Sequence, residues 1–187
     1  MIAHHDQHHR ACVARLNDAL VDYPRLAELG LVKMLALLPQ IPMPAATRAA
    51  IWENGGGHAN HTMFWSVMGG RGGAPRDKLA RSIDRDFGSF EALRLKFNGA
   101  ALAHAGDGWV FLTIDRTGAL AVTTRENERS PWMDGEAVLF GNDLWRHAYA
   151  AKYQNRRADY LTAWWHVLNW PAIESRYALA ILGNLAA

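Results

Sequence analysis

Three short stretches of the sequence carry side chains that could bind one metal ion together. Asp143 and His147 stand four residues apart, and this spacing brings both side chains to one side of a helical turn or tight loop. One such pair is weak evidence, because it could equally form a hydrogen bond at the surface or at a helix N-terminus. Two further stretches supply imidazoles: HHDQHH begins at His4, and NGGGHANH contains His58 and His61. The sequence therefore predicts a metal site built from distant segments.

Composition indicates a globular protein that binds neither nucleic acid nor membrane. With 187 residues, of which 50% are hydrophobic and 20% charged, the chain can bury a core without disulfide bonds. The formal charge is only +2, and no run of Lys or Arg provides a face for nucleic acid. The single cysteine, Cys12, excludes an intrachain disulfide, and neither a signal-peptide pattern nor a stretch of about 18 apolar residues is found. We therefore expect a soluble, cytoplasmic protein.

The first region of the chain has a helical pattern of apolar residues. Helices are predicted over 4–19, 25–38 and 45–68. The last of these contains three consecutive glycines at 55–57, which cost about 1 kcal/mol each relative to alanine. The glycines indicate either a break or kink in the helix, or bare backbone that lets another group approach the metal. A glycine-rich linker follows at 69–75, and we place the domain boundary there, with an N-terminal domain over 1–70 and a C-terminal domain over 75–187.

The second region mixes helices and strands. Its hydrophobic period changes from helical to strand-like after residue 103, and the segment 115–118 carries hairpin-turn residues. The predicted helices span 77–87, 89–103, 159–169 and 173–185, and the predicted strands span 109–114, 120–124 and 137–140. Ser89 is the expected N-cap of its helix, and the third strand leads directly towards Asp143. The expected fold class is therefore α+β.

Six ordered motifs resemble the iron/manganese superoxide dismutase family. They read HHDQHH, NGGGHANHTMFW, FGSFEAL, GDGWVFL, DLWRHAY and KYQNRRADYLTAWWHVLNW. The resemblance implies an N-terminal helical hairpin followed by an α/β lobe with a three-stranded antiparallel sheet. It also implies superoxide as the substrate. In that family one superoxide reduces the metal and leaves as dioxygen, and a second reoxidises it and leaves, with two protons, as hydrogen peroxide.

The resemblance assigns roles to individual residues. The positions that match the family's metal ligands are His4, His61, Asp143 and His147. Three imidazoles and one carboxylate suit Mn or Fe better than structural zinc, so one Mn or Fe ion per chain is expected. His8 matches the gateway histidine of the substrate funnel, and Arg157 matches a basic residue near the funnel that would attract the anion. Three tryptophans, Trp65, Trp109 and Trp145, match the aromatic wall of the site.

Two departures from the family pattern fall near the expected metal. Cys12 stands where the family has a gateway tyrosine, and its thiol either fills space or has a redox or tuning role. Alignment on Ser130-Pro131 puts Glu128 where manganese members have glutamine, whereas iron members supply that amide from the helix position that is Gly57 here. Glu128 either lies beside the metal, where it would favour the oxidised ion, or belongs to an exposed charged loop. These positions do not distinguish Mn from Fe.

Two further departures concern assembly. Where family members have a glutamate and a tyrosine that bond across the dimer interface, this chain has Arg146 and Ala150. We therefore expect a homodimer that is weakened, reorganised or absent. The chain begins three residues before His4, which indicates a short gene or a sequence that starts late.

Two functions agree with this sequence. The surviving ligands favour a superoxide dismutase that uses Mn or Fe. The altered neighbours of the ligands favour the alternative, a metal-binding protein with the dismutase fold that lacks this activity and serves as a sensing or interaction module. An enzyme that acts on another small oxidant, such as peroxide, is a minor third possibility.

Overall fold

The N-terminal region is built from helices that pack as a hairpin. A computed structural model describes residues 2–183. Its first elements are the π-helix His4–His9, α1 (Arg10–Leu20), α2 (Pro24–Ala27), α3 (Leu31–Leu37), a 3-10 turn at Leu38–Gln40 and α4 (Ala45–Ser66). The π-helix continues directly into α1, which packs along α4. This pair forms the predicted helical hairpin.

Helix α4 continues without a break through its three glycines, so a break at this point, which the sequence left open, does not occur. Each glycine faces a neighbouring group at close range. A Cβ on Gly55 would stand 3.0 Å from Cδ2 of Leu35, and one on Gly56 would overlap the carbonyl oxygen of Glu128. Bare backbone therefore lets two other segments approach α4.

The C-terminal region combines five α-helices with one sheet in the part of the chain that the structure describes. Its elements are α5 (Asp77–Phe87), α6 (Phe90–Ala103), β1 (Gly108–Ile114), β2 (Leu120–Glu126), β3 (Ala137–Asp143), α7 (Arg146–Tyr153), α8 (Arg157–Trp164) and α9 (Trp170–Ile181), with 3-10 turns at Pro131–Asp134 and Trp165–Val167. The strand order is β2-β1-β3, and both pairings are antiparallel. The predicted α+β class and three-stranded sheet are confirmed.

Several boundaries differ from the predicted ones. Strand β3 extends to Asp143 because it pairs along β1, which places Trp109 directly opposite Asp143. Helix α9 begins at Trp170 rather than at residue 173, since the Asn169 side chain accepts a hydrogen bond from the N–H of Ala172 and a proline is tolerated in a first helical turn. Residues 184 and 185 of the predicted last helix lie outside the described residues.

The site lies where α4 faces the end of the sheet. Every residue of β1 is buried, and α4 packs against β3. Residues directly opposite each other in a sheet point to the same face, so the side chains of Trp109 and Asp143 lie together on one face. Among residues 2–183, no helix combines the length and apolarity needed to cross a membrane. The division into domains 1–70 and 75–187 stays a prediction.

Candidate metal centre

Four side chains from four separate elements converge at one point, and they are the four that the sequence predicted. His4 comes from the π-helix, His61 from α4, Asp143 from the last position of β3 and His147 from the first turn of α7. One donor atom of each lies within 4.8 Å of the donor atoms of the others. The Oδ2 atom of Asp143 is 3.0 Å from Nε2 of His4, 3.1 Å from Nε2 of His147 and 3.6 Å from Nε2 of His61.

The carboxylate at the centre of this group is held as an anion. Asp143 is completely buried, and its Oδ1 accepts a hydrogen bond of 2.8 Å from the backbone N–H of Trp145. Burial alone would raise the pKa of Asp143, but the contacts with His147 and His4, at hydrogen-bond distance, and the more distant His61 imidazole outweigh it and hold this pKa well below its usual range. Burial also lowers the pKa of His4, which favours the neutral imidazole that a metal ligand must be.

A backbone carbonyl orients the imidazole of His61, and a wider helical turn carries that of His4. The Nδ1–H of His61 donates to the carbonyl oxygen of Gly57, 2.7 Å away, so its Nε2 faces the cluster. His4 begins the π-helix, in which the N–H of Arg10 donates to the carbonyl of His5. Such wider turns are frequent at functional sites. The sequence predicted a helix here without indicating its wider winding.

Glu128 lies beside this cluster rather than in an exposed charged loop. It is 3% exposed, and its Oε2 accepts hydrogen bonds from Nε1 of Trp109 at 2.9 Å and from Nδ2 of Asn60 at 3.4 Å. Its Oε1 faces Nε2 of His8 at 3.6 Å, and the His8 ring centroid lies 4.0 Å from that of His147. Sequence reasoning missed Asn60, whose only signal was its place next to a predicted ligand on α4.

Cys12 is buried between Gly57 and Glu128. A Cβ on Gly57 would stand 2.9 Å from the Cys12 sulfur and 3.4 Å from Cδ of Glu128, so all three positions meet. Burial, and secondarily the Glu128 carboxylate, raise the pKa of the Cys12 thiol to about 11. The thiol is therefore protonated at neutral pH. Its predicted redox or tuning role stays a prediction, as does the alternative of filling space.

Aromatic rings surround the four ligand candidates. The three tryptophans named from the sequence each lie against one imidazole, with ring centroids 5.0 Å apart for Trp65 and His4, 5.0 Å for Trp109 and His61, and 5.6 Å for Trp145 and His147. Trp109 is fully buried, whereas the other two are half-buried. The rings limit the access of water to the cluster from these directions.

A second group of histidines lies along the outer side of the hairpin. Nε1 of Trp65 donates to Nδ1 of His9 at 3.1 Å, which leaves the proton of His9 on Nε2, 2.9 Å from Nδ1 of His58. Burial, followed by the charges of neighbouring imidazoles, lowers the pKa of His9 to about 4. In the described part of the chain neither His9 nor His58 belongs to the cluster of four donors. Both histidines therefore lie near the metal site without contributing a donor atom to the cluster.

Arg157 lies next to the site and binds backbone. Its guanidinium donates to the carbonyl oxygens of His104 at 3.0 Å, Gly106 at 3.2 Å and Leu144 at 3.1 Å. Leu144 follows Asp143 in the sequence, so Arg157 anchors the segment that leaves β3. The predicted attraction of an anion by Arg157 stays a prediction.

The face expected to form the dimer is open in this chain. Arg146 is exposed, Ala150 is half-buried, and the His147 side chain between them is 27% exposed. The charge of Arg146 therefore lies at the edge of the cluster, on the side where the cluster meets solvent. The expected effect of these two residues on assembly stays a prediction.

Comparisons with known proteins agree with this geometry. Residues 1–69 match a family model described as the alpha-hairpin domain of iron/manganese superoxide dismutases, and residues 75–176 match the model of their C-terminal domain. A protein of Leptolyngbya boryana named manganese superoxide dismutase 1 is 45% identical over 183 residues, which cover 96% of this chain and 73% of that protein. Proteins named manganese superoxide dismutase from Thermus aquaticus and Listeria monocytogenes are 45% and 39% identical, over 95% and 96% of this chain and 86% and 88% of their own lengths. The chain belongs to the iron/manganese superoxide dismutase family.

Proposed function

We propose that this protein is a superoxide dismutase with one Mn or Fe ion bound by His4, His61, Asp143 and His147. The observation that carries the proposal is the convergence of three imidazole nitrogens and one buried carboxylate oxygen within 4.8 Å. Nitrogen and oxygen donors without a thiolate suit Mn and Fe, so the residues present fit the ion. When bound, the ion supplies the one-electron exchange that converts superoxide into dioxygen and hydrogen peroxide. Because several relatives are named for manganese, we propose Mn as the first metal to test.

The side chains of the site prepare it for a cation. Asp143 brings a negative charge that stays ionised under physiological conditions, and the Trp145 N–H holds one of its oxygens in place. The Gly57 carbonyl fixes the orientation of His61, and three indole rings keep water from the buried side. These arrangements keep the donors in position before the metal arrives, so little reorganisation is needed on binding.

We propose that superoxide enters past His8 and His147. Their side chains are 33% and 27% exposed, whereas those of His4 and His61 are almost completely buried. His8 can hold a proton at Nε2 close to the cluster, and the positive charge of Arg157 near the site would attract an anion. A carboxylate at position 128 would stabilise the more highly charged state of the metal ion more than an amide at that position would.

The test is superoxide dismutation per bound metal ion, measured on protein loaded separately with Mn and with Fe. We expect activity with at least one of the metals, and we expect His147→Ala to lose both metal and activity. His58→Ala is the matched control, since His58 lies on the same hairpin outside the cluster, and it should bind metal normally. Tight metal binding with negligible activity in both forms would refute the dismutase and support a metal-binding module with the same fold.

Two further parts of the proposal concern the cell and the assembly. We propose a cytoplasmic location, because the single cysteine is free and buried, as a reducing compartment allows. Cell fractionation tests this.

We also propose a homodimer weaker than is usual in the family, because Arg146 and Ala150 replace its cross-subunit bonding residues. Sedimentation at several protein concentrations measures the dissociation constant, and a dimer that persists at nanomolar concentration would contradict it.

A further inference from the structure

A second group of metal-binding side chains lies beside the first. Nε2 of His8 and an oxygen of Glu128 both lie within 4.8 Å of a donor nitrogen of His61 and of each other. His61 already belongs to the cluster of four, so the new donors are His8 and Glu128. The family resemblance assigns neither of them to a metal, and the carboxylate is one of the places where this chain departs from the family.

The His8–Glu128 pair has the spacing of two ligands on one cation. The distance between Nε2 of His8 and Oε1 of Glu128 is 3.6 Å, which is longer than a hydrogen bond. Two nitrogen or oxygen ligands of a tetrahedral zinc ion lie about 3.3–3.5 Å apart, given bonds of about 2.0–2.2 Å. The pair therefore needs almost no movement to take up such an ion.

Both atoms are buried and lack a protein partner. Within residues 2–183, neither Nε2 of His8 nor Oε1 of Glu128 has a hydrogen-bond partner, although both are shielded from solvent. The other oxygen of Glu128 is held by Trp109 and Asn60, so the carboxylate cannot easily turn away from His8. A buried carboxylate oxygen without a partner is unfavourable, and a cation between it and an imidazole removes that cost.

We propose that His8 and Glu128 bind a second divalent cation of the zinc class next to the primary metal centre. The His8 side chain is 33% exposed, so the ion can reach the pair along the open part of this ring. Solvent molecules then complete its coordination. The His8 ring lies 4.0 Å from the ring of His147, so an ion on His8 lies close to the primary cluster and beside its most exposed ligand candidate. Bound zinc would therefore hinder the approach of superoxide. This consequence rests on the proposed function, whereas the binding of the second ion does not.

The experiment titrates manganese-loaded protein with zinc and measures both metals in the protein after removal of free ions. We expect one additional zinc per chain, with the manganese retained. In Glu128→Gln, zinc should bind at least about tenfold more weakly, because the amide preserves the size of the side chain and can still accept from Trp109 but carries no charge. His8→Asn removes the other ligand and should have the same effect, and thermal unfolding of both variants checks that they fold.

Other outcomes would overturn the proposal. It fails if no zinc binds beyond the manganese, if zinc displaces the manganese, or if Glu128→Gln binds zinc as tightly as the original protein. His58→Ala is the control for the outer histidine group, and loss of the second zinc in this variant would place the ion there instead. Anomalous diffraction at the zinc edge should show the ion between His8 and Glu128. These measurements do not depend on dismutation, so an inactive protein that binds the second zinc would refute only the proposed function.

Discussion

Replacement of Gly56 by alanine tests whether the bare backbone of α4 is what lets the Glu128 segment reach the metal centre. A Cβ at position 56 would overlap the carbonyl oxygen of Glu128 and stand 2.8 Å from Cε of Met133. A backbone carbonyl cannot swing aside as a side chain can, so the segment has to move away from α4. Overpacking of this kind costs about 1–3 kcal/mol.

The matched control is Gly99→Ala in α6. Gly99 is exposed, and a Cβ there would meet no atom within 4 Å. Both substitutions replace glycine by alanine inside a helix, and each gains up to about 1 kcal/mol of helix propensity. This gain cancels when the two variants are compared. We therefore expect Gly56→Ala to have a free energy of unfolding about 1–3 kcal/mol lower than Gly99→Ala.

Urea unfolding of the metal-free proteins, followed by tryptophan fluorescence, measures this difference. A third variant, Gly57→Ala, refines the test, because its new Cβ would stand 2.9 Å from the sulfur of Cys12. Adding Cys12→Ala should recover part of the stability that Gly57→Ala loses. The reasoning is refuted if Gly56→Ala is as stable as Gly99→Ala, since the Glu128 segment would then tolerate a side chain on α4.

Three other predictions concern assembly, reactivity and stability. Arg146→Glu combined with Ala150→Tyr should increase the dimer fraction in sedimentation experiments, and an unchanged dissociation constant would contradict our account of the interface. Cys12→Tyr should alter the turnover or the peroxide sensitivity of the metal-loaded protein, and an unchanged enzyme would reduce Cys12 to a space-filling role. Ser89→Ala should lower the free energy of unfolding by about 1 kcal/mol, because the Ser89 hydroxyl accepts a 3.0 Å hydrogen bond from the N–H of Ala92 at the start of α6; an unchanged urea midpoint would show that the cap contributes nothing.

Local sequence patterns predicted the elements of the fold because these patterns are short-range. The Ser89 N-cap and the strand-like apolar run of β1 were read within a few positions, and both occur in the structure. The end of β3 was predicted three residues short, because Gly141 and Asn142 do not favour strands by themselves. Pairing with β1 extends the strand to Asp143, which is a tertiary effect that no local window contains.

The four ligand candidates were predictable for a different reason. Each lies in a motif that the family resemblance identifies, and the structure brings their donor atoms together. The winding of the π-helix that carries His4 was not predictable, because a π-helix and an α-helix have the same apolar pattern over six residues.

The position of Glu128 depends on residues far from it in sequence. Its own segment, Arg-Glu-Asn-Glu-Arg, has the composition of an exposed loop. The carboxylate can be buried because Gly56 has no side chain and so leaves space for the segment, and because the indole N–H of Trp109 and the amide of Asn60 donate hydrogen bonds to it. All three residues come from other elements. None of these residues alone therefore predicts that Glu128 is buried.

Cys12, Gly57 and Glu128 are therefore better understood as one packed unit than as three independent departures from the family. A side chain on Gly57 would crowd the Cys12 sulfur and contact Glu128, and the Cys12 thiol is small enough to leave the carboxylate room. The Glu128 carboxylate in turn contributes to the raised pKa of that thiol and so helps to keep it protonated. Because the three residues share one volume and one local charge, their substitutions should be non-additive.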